Sequence, residues 1–498
     1  MNSVRACGAN DPDARRLDVA IVGGGVSGLV TAFRLSRHQH STDPLSLRLF
    51  EARDRLGGLI QTERVEAEQQ GDCLCETGPD SLATAKPAAI DLCRELGLGD
   101  ALVAPRSDAA FSVLHDQRLH RLPAGFRLIA PTLPWPLLRS GLFSWPGKAR
   151  MLLESLIKPG ALAGDDPSED AATDESVESF VRRRFGREVF ERVAEPVLGG
   201  LFIADATKLS AERTLGPFVE LERQCGSVLR GLRGSSGPSG AAAQRSPAQL
   251  TIADGLGTLV ERLAGQIPAG WLELDCAARQ LRRLPGGAWQ IETARGTWRA
   301  NSVVLACPAP RCRELLKADA PALATALAGL RFASCLTVNL VYRRDDVALL
   351  PGDFGFFVPR RERNRIFAAT YSSEKFPGVA PDGFHVVRTF QGGPLDPSAL
   401  DLDDETLAQR AHDDLAPLIG INGKPVSWRV NRFPNSMPQF DVGHRARVEV
   451  VEQEVERHEG LHLAGSALGA YGLADCAASG NAVAAALRTH LSQDRGQS

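Results

Sequence analysis

The chain has 498 residues, 43% in the hydrophobic class and 23% charged, a globular balance that excludes a disulfide miniprotein, a fibrous repeat and a disordered chain. At ~100–200 residues per domain there is room for two to four domains with a large core. Its 57 Lys and Arg against 60 Asp and Glu leave a formal net charge of −3, which gives no ground for a nucleic-acid partner.

In chain order, residues 1–17 are charged and lack the apolar stretch of a secretory signal, so a disordered arm is expected. Asp18–Val22 reads as a short buried strand, followed by Gly23-Gly24-Gly25-Val26-Ser27-Gly28 and by Leu29, Val30, Phe33 and Leu35 at helical spacing. A second strand, Ser46–Phe50, delivers Glu51, and Pro87–Leu96, stopped by Gly97, reads as a helix. The start of the chain is therefore α/β, doubly wound and Rossmann-like.

Residues 123–162 are rich in Leu, Phe, Trp and Pro, with Trp135, Trp145, Leu137, Leu138, Leu142 and Phe143, and prolines cut any helix there into short pieces. Such a segment suits either a greasy surface or the interior of a helical unit. An acidic stretch, Gly164–Asp174, leads into a helix with Val177, Phe180, Val181 and Phe185 on one face, ended by Gly186. Residues 234–248 have linker composition and are expected to be a disordered insertion. Strands are expected at Trp289–Thr293, Gly296–Arg299, Ser302–Ala306, Cys335–Tyr342, Gly355–Val358, Ile366–Tyr371 and His385–Phe390. Leu461–Gly465 returns to a buried strand before an Ala-rich helix, Gly480–Leu487.

The implied organisation is a nucleotide-binding domain in three pieces, 17–100, 249–310 and 441–490. A helical substrate- or membrane-facing unit lies at 101–233, the linker insertion at 234–248, and a mixed-sheet substrate domain at 311–440. The ten cysteines form no CxxC pair, so a cytoplasmic setting fits best. No run of 18 apolar residues occurs, which leaves at most a peripheral place on a membrane.

Gly23, Gly25 and Gly28 form GxGxxG between a strand and a helix. In that context the glycines permit a tight turn, close approach of a pyrophosphate, and close packing of helix on strand. Glu51 falls at the end of the next strand, where a carboxylate accepts hydrogen bonds from ribose hydroxyls. A rival motif, His458-Glu459-Gly460-Leu461-His462, matches HExxH. Gly460 opens a strand, however, and at ~3.3 Å per residue the two imidazoles stand too far apart for one zinc ion, so no metal site is expected. No Ser-His-Asp or paired-carboxylate arrangement stands out, and chemistry carried by a bound dinucleotide requires none.

The sequel Glu51-Ala-Arg-Asp-Arg55-Leu-Gly57-Gly58 resembles the extended fingerprint of the flavin-containing amine oxidase and phytoene desaturase superfamily. Its late counterpart resembles Ala464-Gly465-Ser466 with Tyr471-Gly472-Leu473-Ala474-Asp475-Cys476. Within it, residues 18–490 resemble the oxygen-dependent, FAD-type protoporphyrinogen and coproporphyrinogen oxidase family. The segments that carry this are Glu76–Ser81, Lys86–Leu92 with Glu95–Leu98, Phe180–Gly186, Phe354–Pro359, Pro438–Phe440 with Gly443-His444, and Gly472–Cys476.

The resemblance implies FAD held by Gly23 to Gly28, by Glu51, Ala52, Arg55, Gly58 and Leu59, and by backbone around Gly78, Pro79, Asp80 and Ser81. Ala278 is implied at the adenine side, Gly465 and Ser466 beside the cofactor, and Tyr471, Gly472 and Leu473 at the isoalloxazine. It implies a tetrapyrrole pocket lined by Phe354, Gly355, Phe357, Thr370 and Phe390, with Asp80 near the flavin as the candidate catalytic residue, to orient the macrocycle or accept a proton, although each could be sheet core or turn. It also implies oxidation of a porphyrinogen in haem biosynthesis, by three hydride transfers with dioxygen as acceptor and hydrogen peroxide as product. A peripheral membrane contact or a neighbouring pathway enzyme would be the partner. An amine oxidase, a carotenoid desaturase or a flavin-binding scaffold are the alternatives on this fold.

One departure stands out. Animal and plant relatives carry a propionate-binding Arg before the segment matching Leu119–Pro123, where gapless counting places Phe111. Either the carboxylates face solvent or Arg106, Arg118 or Arg121 replaces it, and loose selectivity between protoporphyrinogen IX and coproporphyrinogen III is expected.

Overall fold

The structure is a computed structural model that describes residues 15–37, 44–106, 111–160, 174–234, 247–348 and 352–496. The expected linker at 234–248 lies mostly outside them, as do most of the N-terminal arm and of the acidic stretch before Val177. Arg15 to Leu17, expected in the arm, are the first residues of a strand.

That strand, β1 (Arg15–Val22), runs into helix α1 (Val26–Ser36) and returns as β2 (Leu47–Phe50). Val19, Ala20 and Ile21 are fully buried, as expected for a parallel strand covered on both faces. The first sheet runs Leu272–Glu273, β2, β1, Gly296–Leu305, Trp289–Thr293, Ala278–Arg283, with Leu461–Leu463 parallel to the end of Gly296–Leu305. Alternation along β1 sends Val19 and Ile21 into one core with α1, the helix Gly257–Gly265 and the C-terminal helix Gly472–Gly496. Ala20 and Val22 enter a second core with the helices Ala309–Leu316 and Pro321–Ala328. The two strands expected at Gly296–Arg299 and Ser302–Ala306 are one. Its first half pairs with Trp289–Thr293 and its second half with Leu461–Leu463, while β1 follows it throughout.

The second sheet has the order Ser427–Pro438, Phe332–Arg343, Phe384–Gly392, Ile366–Tyr371, Gly355–Phe357, Ser112–His115, Arg118–Arg121. The last two strands fall within the segment expected to be helical and extend this sheet instead. Helix Asp404–Ile419 covers one face through Leu407, Ala411, Leu415 and Ile419. The other face turns to the nucleotide domain, where Thr337 Oγ1 donates to the Thr77 carbonyl at 2.7 Å and Asn339 Nδ2 to that of Glu76 at 3.1 Å.

The helical unit packs Val177–Phe185, Ala211–Cys225 and Val228–Gly234 around Phe180, Phe185, Val193 and Leu215. Its short helices Pro134–Arg139 and Trp145–Leu152 each begin at a proline-containing turn. The segment that holds them buries Leu137, Leu142, Phe143 and Met151 while leaving Trp135 62%, Trp145 69% and Leu156 72% exposed. Both readings of the 123–162 segment therefore hold, for different side chains. No helix of the described residues is long and apolar enough to cross a membrane.

Candidate active site

The glycine turn is tight where helix meets strand and open where a ligand would come. A Cβ on Gly28 would stand 2.0 Å from the Gly23 carbonyl oxygen, and one on Gly23 2.6 Å from that of Ala306. At Gly25 a Cβ would meet nothing within 4 Å, so the first turn of α1, with its free N–H groups, faces open space. Glu51 closes the turn: Oε2 accepts from Gly24 N–H at 2.7 Å and Oε1 from Arg53 N–H at 2.9 Å. Gly57 N–H donates to the Gly24 carbonyl at 2.8 Å, so the second glycine turn lies against the first. Arg55 fixes that second turn by donating to the carbonyls of Leu56, Gly58 and Ile60 at 3.1–3.2 Å.

The C-terminal segment meets the same place. Ser27 Oγ donates to the Cys476 carbonyl at 3.0 Å, and a Cβ on Gly465 would lie 2.4 Å from Ser27 Oγ. Val26 and Leu473 are buried beneath, in the core shared by α1 and the last helix. Gly472 opens that helix with no neighbour within 4 Å of its Cβ position. Ser466 and Tyr471 lie between these glycines in sequence, and Ala52 is exposed at the rim. Ala278 follows Cys276, whose N–H donates to the Glu51 carbonyl at 2.8 Å. Two open glycines at helix N-termini, a ribose-type carboxylate and a second glycine turn fit an adenine dinucleotide. Gly25 and Glu51 would hold its pyrophosphate and ribose, and the Gly465–Leu473 segment its redox ring.

Across from this cradle lies the loop Gly78-Pro79-Asp80-Ser81. Gly78 touches the Leu59 carbonyl so closely that a Cβ would overlap it at 2.2 Å. Asp80 accepts from Ser81 Oγ at 2.8 Å, from Lys375 Nζ at 3.0–3.1 Å, and pairs with Arg388 at 3.0 Å. Burial favours its neutral form, but the Lys375 and Arg388 charges outweigh that and hold its carboxyl well below the usual carboxylate range. A carboxylate so held, with both oxygens occupied, is a poor proton acceptor. Arg388 also donates to the Gly78 carbonyl at 2.6 Å.

Neither Lys375 nor Arg388 was evident from the sequence. The signal was present, since Arg388 interrupts an apolar strand, Phe384–Phe390, where a cation needs a buried partner.

The substrate sheet presents aromatic side chains beside this cluster. Thr370 stands opposite Arg388 in the strand ladder and opposite Gly355 on its other side, while Phe390 pairs with Ala368. The Arg388 guanidinium lies 4.8 Å from the Phe390 ring centre, and Phe390 is 6.1 Å from Phe367. Phe111 packs on Phe357 at 5.1 Å and on Phe354 at 6.3 Å. Tyr471 joins Phe202 at 5.1 Å and Phe440 at 5.8 Å, and its hydroxyl donates to the Leu201 carbonyl. Of the cations near Phe111, Arg121 is paired with the buried Asp353, and Arg106 and Arg118 are exposed.

His462 lies in the strand Leu461–Leu463 and His458 beyond the end of the preceding helix, His444–Glu456, so the HExxH residues share no helix. Among the described residues the one group with metal-ligand spacing is His115, Asp116 and Glu362. Its carboxylates are already in use: Glu362 receives the N–H groups of Asp116 and Gln117, and Arg361 lies 3.4–3.5 Å from both.

A dinucleotide cradle completed by the C-terminal segment, with an aromatic sheet beside it, defines an oxidoreductase of the dinucleotide-binding class. The family of flavin containing amine oxidoreductases matches residues 26–488, and the chain belongs to it. Its cofactor is accordingly FAD. The chain is 31% identical to the coproporphyrinogen III oxidase of Bacillus subtilis, over 95% of this chain and 98% of that one. It is 31% identical to the chloroplastic protoporphyrinogen oxidase 1 of Spinacia oleracea, over 96% and 85%. A crystal structure from Exiguobacterium sp. 255-15, assigned as a protoporphyrinogen oxidase, superposes with a TM-score of 0.80 at 28% identity, covering 96% and 99%.

Proposed function

We propose that this chain is an FAD-dependent porphyrinogen oxidase acting in haem biosynthesis, with dioxygen as acceptor. The observation that carries the reading is full-length similarity at 31% to porphyrinogen oxidases, joined to an aromatic sheet face opposite the dinucleotide cradle. Bound FAD supplies the hydride acceptor, and dioxygen takes the electrons on as hydrogen peroxide. The protein's part is placement. Phe354, Phe357 and Phe390 give a flat tetrapyrrole apolar walls, Thr370 lies in the ladder between Gly355 and Arg388, and Phe111 backs two of those rings, while Gly355 is glycine because a Cβ would overlap the Ala369 carbonyl at 2.0 Å. The loop from Gly78 to Ser81 forms the wall between cofactor and substrate.

The three-part division into a discontinuous FAD domain, a substrate sheet and a helical unit belongs to this proposal. So does a peripheral membrane contact through Trp135, Trp145 and Leu156. The exposed Arg139 lies 5.0 Å from the Trp135 ring, an arrangement suited to a lipid headgroup layer, whereas Lys148, 4.4 Å from the Trp145 ring, is buried and donates to the Leu138 carbonyl at 2.9 Å. The functional test is anaerobic mixing of the FAD-loaded protein with protoporphyrinogen IX and with coproporphyrinogen III. Flavin bleaching, then porphyrin fluorescence and peroxide on admitting air, is expected. No bleaching with either substrate refutes the function, as would bleaching by amines alone.

A further inference from the structure

The wall between cradle and sheet holds two buried cations and one carboxylate that meets them. Lys375 is 4% exposed and Arg388 3%; both bind Asp80, whose remaining partner is the neutral Ser81 hydroxyl. The preceding acid in the chain, Glu76, turns elsewhere, its Oε1 accepting from Leu256 N–H at 2.7 Å and Thr62 Oγ1 at 3.0 Å. Burial pushes its carboxyl up to about 7, so at neutral pH it supplies only part of a negative charge. The cluster therefore sets two cations against one carboxylate in a place shielded from water, where burial already pushes the Lys375 ammonium pKa down, a strain that a further anion would relieve.

Arg388 shows where that anion would bind. Its two terminal nitrogens are used, one on the Gly78 carbonyl and one on Asp80, while its buried Nε has no hydrogen-bond partner among the described residues. The same guanidinium lies along Phe390 and across the ladder from Thr370, on the sheet face proposed to take the macrocycle. Elsewhere along this face Phe111 is packed into the aromatic wall and Arg121 is occupied by Asp353.

We infer that Arg388, held in place by Asp80 and balanced with Lys375, is the anion-recognition residue of this site and takes a propionate carboxylate of the substrate. The inference rests on the porphyrinogen oxidase reading and assigns Asp80 a positioning role rather than a proton-transfer one. A propionate accepting from the Nε edge of Arg388 completes the guanidinium's hydrogen bonding and neutralises the surplus charge. Lys375 would not substitute, because its ammonium is directed to both Asp80 oxygens.

The test compares a charged and an uncharged form of one substrate: coproporphyrinogen III and its tetramethyl ester, assayed with the FAD-loaded wild type, Arg388→Gln and Arg388→Lys. Arg388→Gln is expected to lower kcat/KM for the free acid by about tenfold to a hundredfold, mainly through KM, the loss expected for one charge-assisted bond. Turnover of the ester should change by less than about threefold, a spread too small for loss of such a bond. Arg388→Lys should recover part of the preference for the acid. Equal losses on acid and ester overturn the inference, since a purely structural arginine would affect both alike. Should Arg388→Gln lose its flavin, the comparison is read from Arg388→Lys, where an unchanged acid-to-ester ratio overturns it. A wild type that oxidises neither form refutes the functional reading itself.

Discussion

Two glycines three residues apart in the phosphate turn should respond in opposite ways to the same substitution. Gly25 has φ −75° and ψ 179°, extended backbone that alanine adopts freely, and its Cβ would meet no protein atom within 4 Å. Gly25→Ala should leave the flavin-free protein as stable as before, or more so by ~0.4–1 kcal/mol, because alanine restricts the unfolded chain. The new methyl would instead occupy the approach to the first N–H groups of α1. Losing one charge-assisted bond to the pyrophosphate costs about 1.5–3 kcal/mol, or roughly a ten- to hundredfold rise in the Kd for FAD.

Gly28→Ala has the reverse signature. Its Cβ would come 2.0 Å from the Gly23 carbonyl oxygen and 3.3 Å from the Ala306 Cβ, so α1 must move off the sheet at a cost of about 1–3 kcal/mol. Differential scanning fluorimetry on deflavinated protein, paired with FAD titration by fluorescence quenching, separates the two. Wild-type FAD affinity in Gly25→Ala, or a destabilised apoprotein, would refute the placement of the pyrophosphate at this turn.

Arg121→Ala strips the cation from an Asp353 that is only 2% exposed and leaves it with Ser112 Oγ. Thermal stability should fall by about 1–3 kcal/mol while KM for porphyrinogen stays within twofold, whereas a raised KM would return Arg121 to the substrate site. Glu76 titrates near 7 in the folded protein against an ordinary value of 4.5. The folded state thus keeps a proton that the unfolded chain releases, and the stability this contributes is full below about pH 4.5 and lost as pH rises through 7. Glu76→Gln should remove about 1–3 kcal/mol of that decline between pH 5 and 8, visible as a flatter melting-temperature profile, and parallel profiles would refute it. Flotation with anionic liposomes should carry the wild type upward and leave Trp135→Ser/Trp145→Ser in the soluble fraction. Equal distribution of the two would leave those indoles without a membrane role.

The parts of the site legible in the sequence are those built from neighbours. The residues from Gly23 to Gly28 with Glu51 lie within one β-α-β unit, where spacing alone forces the geometry. Asp80 could be singled out, but not its state, because the cations that hold it ionised lie 295 residues on, at Lys375, and further still at Arg388. Nothing local distinguishes a buried lysine in Ser372–Lys375 from a surface one. The strand Gly296–Leu305 was expected as two, Gly296–Arg299 and Ser302–Ala306, separated at Ala300-Asn301. Those residues mark a change of partner along one edge, not a break in the backbone. The hairpin Ser112–Arg121 was assigned to the helical segment by its neighbours in sequence, and its membership of the second sheet depends on pairing with Phe356 and Phe357, far along the chain.

The cradle's composition bears on how the protein is made. Residue 23 packs on the carbonyl of residue 306, Ser27 on residues 465 and 476, and Leu305 pairs with both Val22 and Leu463. At about 5–20 residues per second of synthesis, the phosphate turn emerges roughly 20 to 90 seconds before its last neighbours. In that interval β1 and β2 are apolar strands with open edges, vulnerable to mispairing. Flavin loading must then await synthesis of the chain through residue 476, and a truncation just short of residue 461 should yield a protein that carries the complete fingerprint and retains no flavin.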